Sequence, residues 1–318
     1  MSGSRTPSHL GAIGAAVLVT FLWSSSWILI RWGLDDEALD PLTFAALRYG
    51  LAALLLGGWV LLRPALRRSA RGIGRSMGRR LVLLGLVFYA VTQGAQFIAI
   101  DNQPAATTSV VLSWTPLLVA LLATRSLAET PATRQIGGAL AVAIGAWLYF
   151  VGDLGATAAG MIAALVALAA NVASSLLGRH VNRQADTSPV VVTAISMGVG
   201  AAILVAAGLA AEGVPTVSAR AWLIIGWLAL VNTAFAFTLW NLSLRRLSAL
   251  ESAAINNTMV IQIALLAWLY LDERPGTSQI VGMLLVSIGV FLAQASGAAR
   301  KPPGAAVRSG LRAIPPHP

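Results

Sequence analysis

Residues 129–145 read ETPATRQIGGALAVAIG, and residues 273–289 read ERPGTSQIVGMLLVSIG. At an offset of 144, Glu129, Pro131, Gln135, Ile136, Gly138, Ile144 and Gly145 fall on Glu273, Pro275, Gln279, Ile280, Gly282, Ile288 and Gly289. Agreement this dense over one stretch marks an internal duplication. It divides the chain into a first unit, residues 1–155, and a second, residues 156–298. Gly138 and Gly145, like Gly282 and Gly289, stand seven positions apart, about two helical turns. Each pair therefore lies on one helix face, where the absence of side chains lets a neighbouring helix come close.

Working outward, the whole chain is oil-rich. Of its 318 residues 57% are hydrophobic and 11% charged, with a mean hydropathy of +0.76. A soluble domain of this size needs far more polar cover. A bilayer-spanning helix takes roughly 20 apolar residues. Ten runs of about that length emerge, over 10–32, 41–62, 81–100, 104–124, 135–151, 157–179, 189–211, 220–244, 250–271 and 277–296. They are too long and continuous for barrel strands, and a backbone in lipid must satisfy its own hydrogen bonds, so each run is expected to be a helix. The run from Leu10 exceeds the apolar core of a signal peptide and has no clear cleavage site after it, so the first helix is expected to be retained.

Ten is even, so both termini share a side. With that side cytoplasmic, 18 of the 22 Lys and Arg residues fall there, including Arg63, Arg67, Arg68, Arg71, Arg75, Arg79 and Arg80. The opposite side takes Arg31, Arg220 and Arg274 with nine of the acids: Asp35, Asp36, Glu37, Asp40, Asp101, Asp153, Glu212, Asp272 and Glu273. That asymmetry is the positive-inside rule of a cytoplasmic membrane, here the inner membrane of a bacterium. Five spans per unit is odd, so the second unit inserts upside down. The expected fold is an all-α polytopic membrane protein of two inverted five-helix repeats, followed by a disordered cytoplasmic tail over 299–318 rich in proline. Inverted repeats of this kind build alternating-access carriers, since two copies related by an axis in the membrane plane can exchange conformations.

Composition also excludes classes. A net charge of +10 could signal nucleic acid, but the basic residues sit between apolar runs rather than along a groove. There is no cysteine, so disulfides, thiolate metal sites and thiol nucleophiles are absent. His9, His180 and His317 lie at run ends or in loops, where they offer no base to an intramembrane nucleophile, and no Gly-rich phosphate loop exists. Neither an enzyme nor a cofactor-dependent protein is expected. A monomer suffices for such an architecture.

The string Leu22-Trp23-Ser24-Ser25-Ser26-Trp27, followed by Arg31, Pro41, Phe44, Arg48 and Tyr49, resembles the opening of EamA-type members of the drug/metabolite transporter superfamily. The Glu129-x-Pro131 and Glu273-x-Pro275 elements, each leading into a Gly-rich helix, resemble that family's repeated unit. The resemblance spans 10–296. It implies secondary transport of small solutes, and the chain looks most like bacterial exporters of aromatic and other neutral amino acids. Export of lipophilic cations or drugs, or a membrane scaffold that transports nothing, are the alternatives.

Polar groups in membrane helices are costly, so those on one helical face are candidates to line a cavity. Tyr89, Gln93 and Gln96 fall at i, i+4 and i+7 on one run. At the 144 offset they meet Thr233, Phe237 and Trp240, so amides and hydroxyls would face aromatic rings, a surface suited to an amphipathic solute. Further candidates to bind substrate are Trp23 and Ser26, Thr108 and Thr115, Asn171 and Ser175, and Asn256. For each Asn, Ser or Thr the competing role is a hydrogen bond between helices, and for Trp23 and Trp240 it is packing or interface anchoring. Arg48 is the one cation well inside a run. It is expected to serve structure, snorkelling outward to an acid such as Asp101, rather than to bind a carboxylate. No Asp, Glu or His lies deep in any run, so flux is expected to be independent of a proton gradient.

Overall fold

The computed structural model describes residues 8–35, 39–103, 105–127, 131–151, 155–183, 187–213, 215–271 and 276–294, and the regular elements among them are helices. The tail over 299–318, Glu129, Glu273, Arg274 and the acids Asp36, Glu37 and Asp153 lie outside the described residues.

In chain order the elements are α1 (His9–Asp35), α2 (Pro41–Leu62), α3 (Pro64–Arg71), α4 (Arg75–Leu84), a π-helical segment (Gly85–Val91), α5 (Thr92–Asn102), α6 (Ala105–Leu112), α7 (Thr115–Leu127) and α8 (Thr133–Phe150). They continue with α9 (Ala158–Arg183), α10 (Pro189–Glu212), α11 (Ala219–Trp227), a second π-helical segment (Leu228–Phe235), α12 (Ala236–Ser243), α13 (Ala249–Asn256), α14 (Met259–Leu271) and α15 (Thr277–Gln294). Proline opens α2 and α10 at a position whose N–H would have had no partner. Ser218 caps α11 by accepting the Ala221 N–H at 3.0 Å. Ser248 and Glu251 cap α13 reciprocally, the Glu251 carboxylate accepting the Ser248 N–H at 2.7 Å and the Ser248 hydroxyl accepting the Glu251 N–H at 3.2 Å.

Five helices among the described residues are long and apolar enough to cross a membrane: His9–Ser26, Leu42–Leu62, Ala158–Arg183, Pro189–Ala211 and Ala219–Ser243. Val110–Ala123 and Thr277–Ala293 are shorter apolar stretches. The protein is an all-helical, multi-pass membrane protein.

Two of the expected single helices are each two. The run 104–124 breaks at residues 113–114 and the run 250–271 at residues 257–258, positions 144 apart. Both breaks are tightened by the same turn: Trp114 N–H reaches the Val111 carbonyl at 3.3 Å, and Thr258 N–H reaches the Ile255 carbonyl at 2.9 Å. Pro116 explains the first, because it has no N–H to give the Leu112 carbonyl and its ring crowds the preceding turn. At the second, Asn257 spends its side-chain amide on the Ser113 carbonyl, at 3.3 Å, so the two breaks touch.

The π-helical segments are offset in the same way. Thr92 N–H reaches back to the Val87 carbonyl, and Ala236 N–H to the Val231 carbonyl, each five residues away and 144 from the other. The Gly85 segment lies backbone-close against α10. A Cβ on Gly85 would stand 2.2 Å from the Ser196 carbonyl oxygen, and one on Gly200 would stand 2.3 Å from the Tyr89 Cβ.

Helices α8 and α15 share the most extensive contact of any two described helices. A Cβ on Gly138 would fall 2.5 Å from the Gly289 oxygen, and one on Gly145 would fall 2.7 Å from the Gly282 oxygen. As 138 faces 289 and 145 faces 282, the helices run antiparallel. Their starts match too: Ala132 N–H donates to Gln135 Oε1 at 2.9 Å, and Gly276 N–H donates to Gln279 Oε1 at 2.7 Å. In lipid no hydrophobic force drives helices together, so such contact is held by dispersion and interhelical hydrogen bonds, of which Gln135 Nε2 to the Ala293 carbonyl, 3.0 Å, is one.

Candidate functional site: an aromatic cluster beside the two π-helical segments

The second π segment sets the geometry. Because Ala236 N–H bonds the Val231 carbonyl, the Asn232 carbonyl is open to a foreign donor, and Trp23 Nε1 on α1 takes it at 3.1 Å. The Asn232 side-chain amide donates back to the Leu22 carbonyl and, at 3.4 Å, approaches Ser25 Oγ. These bonds pin Trp23 in place. Its ring lies 4.8 Å from that of Phe237 and 5.3 Å from that of Trp240 on α12.

The first π segment contributes Phe88 and Tyr89. Their rings stand 5.5 Å and 5.1 Å from Phe237, and Tyr49 of α2 closes the group at 6.1 Å from Phe237 and 6.0 Å from Tyr89. Tilted and edge-on contacts of this kind are each worth about 0.5–1.5 kcal/mol beyond burial. The Tyr89 hydroxyl is buried near Ser196 without a well-formed hydrogen bond. Six rings thus pack into one cluster, with polar atoms on its edge.

Arg48 enters this region from α2. Its Nε donates to Thr233 Oγ1 at 2.8 Å, and its guanidinium carbon lies 5.4 Å from the centre of the Tyr49 ring. The expectation of an outward snorkel is therefore corrected: the side chain is 7% exposed and turns inward, toward the π segment. The Asp101 side chain lies outside the described ones.

Of the twelve candidate residues, the structure gathers Trp23, Tyr89, Phe237 and Trp240 into the aromatic cluster. Ser26 is buried on α1 and donates to the Trp23 carbonyl at 2.6 Å. Thr115 donates to the Leu112 carbonyl at 2.6 Å and is approached by Asn171 Nδ2 at 3.5 Å, while Ser175 donates to the Asn171 carbonyl at 2.8 Å. These three form a separate polar group where α7 meets α9. Thr108 accepts from Gln103 Nε2 at 3.1 Å beside the start of α6. Gln93, Gln96 and Asn256 are half-buried, and no side-chain hydrogen bond or ring contact joins them to the cluster among the described residues. The repeat mates of Tyr89, Gln93 and Gln96 do share one side: Thr233 reaches Arg48, and Phe237 and Trp240 reach Trp23, although a π segment holds or precedes them too. A groove of about 370 Å³ lined by Thr107, Val110, Val111, Trp147, Gly155 and Met161 holds none of the twelve.

Tyr49, Phe88 and Asn232 as parts of the site, and the inward course of Arg48 to Thr233, were not anticipated. One signal was available: Asn232 and Thr233 stand 144 after Phe88 and Tyr89, so the offset that located Thr233 would also have located its neighbour.

The fold is thus a polytopic helical bundle with glycine-locked helices, paired helix breaks and a buried aromatic cluster edged by polar groups. The chain belongs to the EamA-like transporter family, whose model matches it twice, over residues 10–151 and 158–294. It is 28% identical to the probable terminal-alkyne amino-acid exporter of Streptantibioticus cattleyicolor, over 88% of this chain and 92% of that protein. It is 24% identical to the probable amino-acid metabolite efflux pump of Escherichia coli strain K12, over 87% of this chain and 92% of that one. A crystal structure of a protein 20% identical in sequence superposes with a TM-score of 0.75, covering 90% of this chain and 97% of that chain, so the two share a fold.

Proposed function

We propose that this transporter is a secondary exporter of small amphipathic metabolites, foremost aromatic and other neutral amino acids, working by alternating access. Residues 1–155 and 156–298 act as two inverted five-helix halves in a bacterial inner membrane, with ten spans and both termini cytoplasmic. The observation that carries the reading is the aromatic cluster itself. Residues from both π segments, which stand at the same 144 offset as the helix breaks, meet in one group of aromatic rings with hydroxyl and amide groups beside it. Such a surface takes the apolar body of an amino acid on rings and its polar end on hydrogen bonds. Relatives named as amino-acid exporters support the same class.

Trp23, Tyr89, Phe237 and Trp240 form the wall of the binding site in this scheme. Ser26, Gln93, Gln96, Thr108, Thr115, Asn171, Ser175 and Asn256 belong to the path on either side of it. The test is flux from liposomes containing the purified chain, with labelled phenylalanine, tyrosine, tryptophan and leucine against lipophilic cations. Saturable amino-acid flux supports the proposal. Cation flux alone, or none, replaces it with the drug exporter or the scaffold. Accessibility tags beside Arg125 and Gly276 test the inversion, since the scheme puts them on opposite faces.

A further inference from the structure

We infer that Arg48 is a carboxylate anchor beside the aromatic cluster, so that the protein selects solutes joining an anionic carboxylate to an apolar or aromatic body. The inference deepens the transport reading above and rests on it for the meaning of the cluster.

Arg48 lies seven residues into α2, about 10 Å along the helix axis, and is 7% exposed. A guanidinium carries five N–H donors. One is spent on Thr233 Oγ1 at 2.8 Å. Among the described residues no other hydrogen bond is made by its terminal nitrogens, and no carboxylate pairs with it. Those nitrogens are also not among the sealed, partnerless atoms of the core, so they retain access to space. A cation placed so deep in a membrane protein is costly unless an anion answers it.

The geometry selects which anion. Holding Arg through Nε fixes the guanidinium plane and leaves the paired terminal N–H groups as a fork, which matches the two oxygens of a carboxylate. The Tyr49 ring lies against the guanidinium at 5.4 Å, and Tyr49 in turn contacts Phe237 and Tyr89. A carboxylate seated on the fork therefore places its substituent against the edge of this aromatic cluster. Their faces accept an apolar side chain by stacking and an ammonium by cation–π attraction. A solute carrying only positive charge meets the same guanidinium as a like charge.

The test uses the full purified chain and three probes of nearly one shape: L-phenylalanine, phenylacetate and phenethylamine. Binding is read by ligand-induced thermal stabilisation. The wild type is expected to bind phenylalanine and phenylacetate at least about tenfold more tightly than phenethylamine, the strength of one charge-assisted fork. Arg48→Gln is expected to weaken both carboxylates by about tenfold or more and phenethylamine by less than about threefold, with Arg48→Lys in between because a point charge replaces the fork. An Arg48→Gln protein that keeps the carboxylate preference overturns the anchor. So does a wild type that binds phenethylamine as well as phenylalanine, or binds neither carboxylate, and these two results hold even if the variant does not fold. Equal flux of phenylalanine and phenethylamine in liposomes leaves transport standing and removes the anchor. Carboxylate-selective binding without any amino-acid flux does the reverse.

Discussion

Asn257 donates its side-chain amide to the main-chain carbonyl of Ser113 across 3.3 Å, and the two residues stand 144 positions apart. Each lies where an apolar helix breaks, so the bond joins equivalent points of the two matched segments. An interrupted helix exposes carbonyls that an intact one would consume, and in a membrane those groups need partners from the protein. Asn257 supplies one such partner.

Asn257→Leu keeps the volume and removes the donor. The expected result is a folded protein, destabilised by about 1 kcal/mol as for one interhelical hydrogen bond, with flux reduced at least about fivefold because the breaks are no longer tied. Ser287→Ala is the control. That hydroxyl is exposed and bonds only its own helix, at the Met283 carbonyl. Equal flux in both variants would show that the tie is dispensable.

Gly138→Val forces a side chain against the Gly289 oxygen, where a Cβ already has only 2.5 Å. Overpacking of this kind costs about 1–3 kcal/mol or more, and yield after detergent extraction is expected to fall sharply. Gly137→Ala, one residue away with nothing within 4 Å, is expected to extract like the wild type. Comparable melting temperatures for the two would contradict the packing described.

Trp23 has two jobs, stacking on Phe237 and donating to Asn232. Trp23→Phe keeps a ring and loses the bond, whereas Trp23→Ala loses both. The apparent affinity for aromatic amino acids is expected to fall about tenfold or more in Trp23→Ala and by less than about fivefold in Trp23→Phe. The reverse order, measured by competition in liposomes, would assign the tryptophan to the hydrogen bond rather than to the wall.

Glu251 is buried, yet both of its oxygens have structural partners, the Ser248 N–H at 2.7 Å and His9 Nε2 at 3.3 Å. It caps α13 and joins it to α1. Glu251→Gln, which can still cap, is expected to transport within about threefold of wild type, and Glu251→Ala to lose about 1 kcal/mol of stability. Flux is expected not to follow an imposed pH gradient. A gradient-driven rate that disappears in Glu251→Gln would instead make this carboxylate a proton carrier.

The helical membrane architecture was legible because lipid imposes one rule on every spanning segment, and the long apolar runs of α1, α2, α9 and α10 obey it plainly. The glycine contact between α8 and α15 was legible from spacing alone. The helix breaks were harder, since residues 104–124 and 250–271 stay apolar through them. Pro116 carried a signal for the first, but Asn257 reveals its role only once Ser113 is beside it. The π segments left no trace in hydropathy. Arg48 was misjudged for a related reason. An arginine near a helix end has water within reach on a simple cylinder, and only the neighbouring Thr233 and Tyr49 make the inward course the shorter one.

Backbones that touch, as those of α8 and α15 do at four glycines, have no room to slide or roll without driving a carbonyl into a neighbouring chain. Under the alternating-access scheme proposed above, that seam is the fulcrum around which the rest of the molecule swings. Cysteines introduced along the seam and bridged to one another should therefore leave the carrier working, while the same staple across the aromatic cluster should stop it.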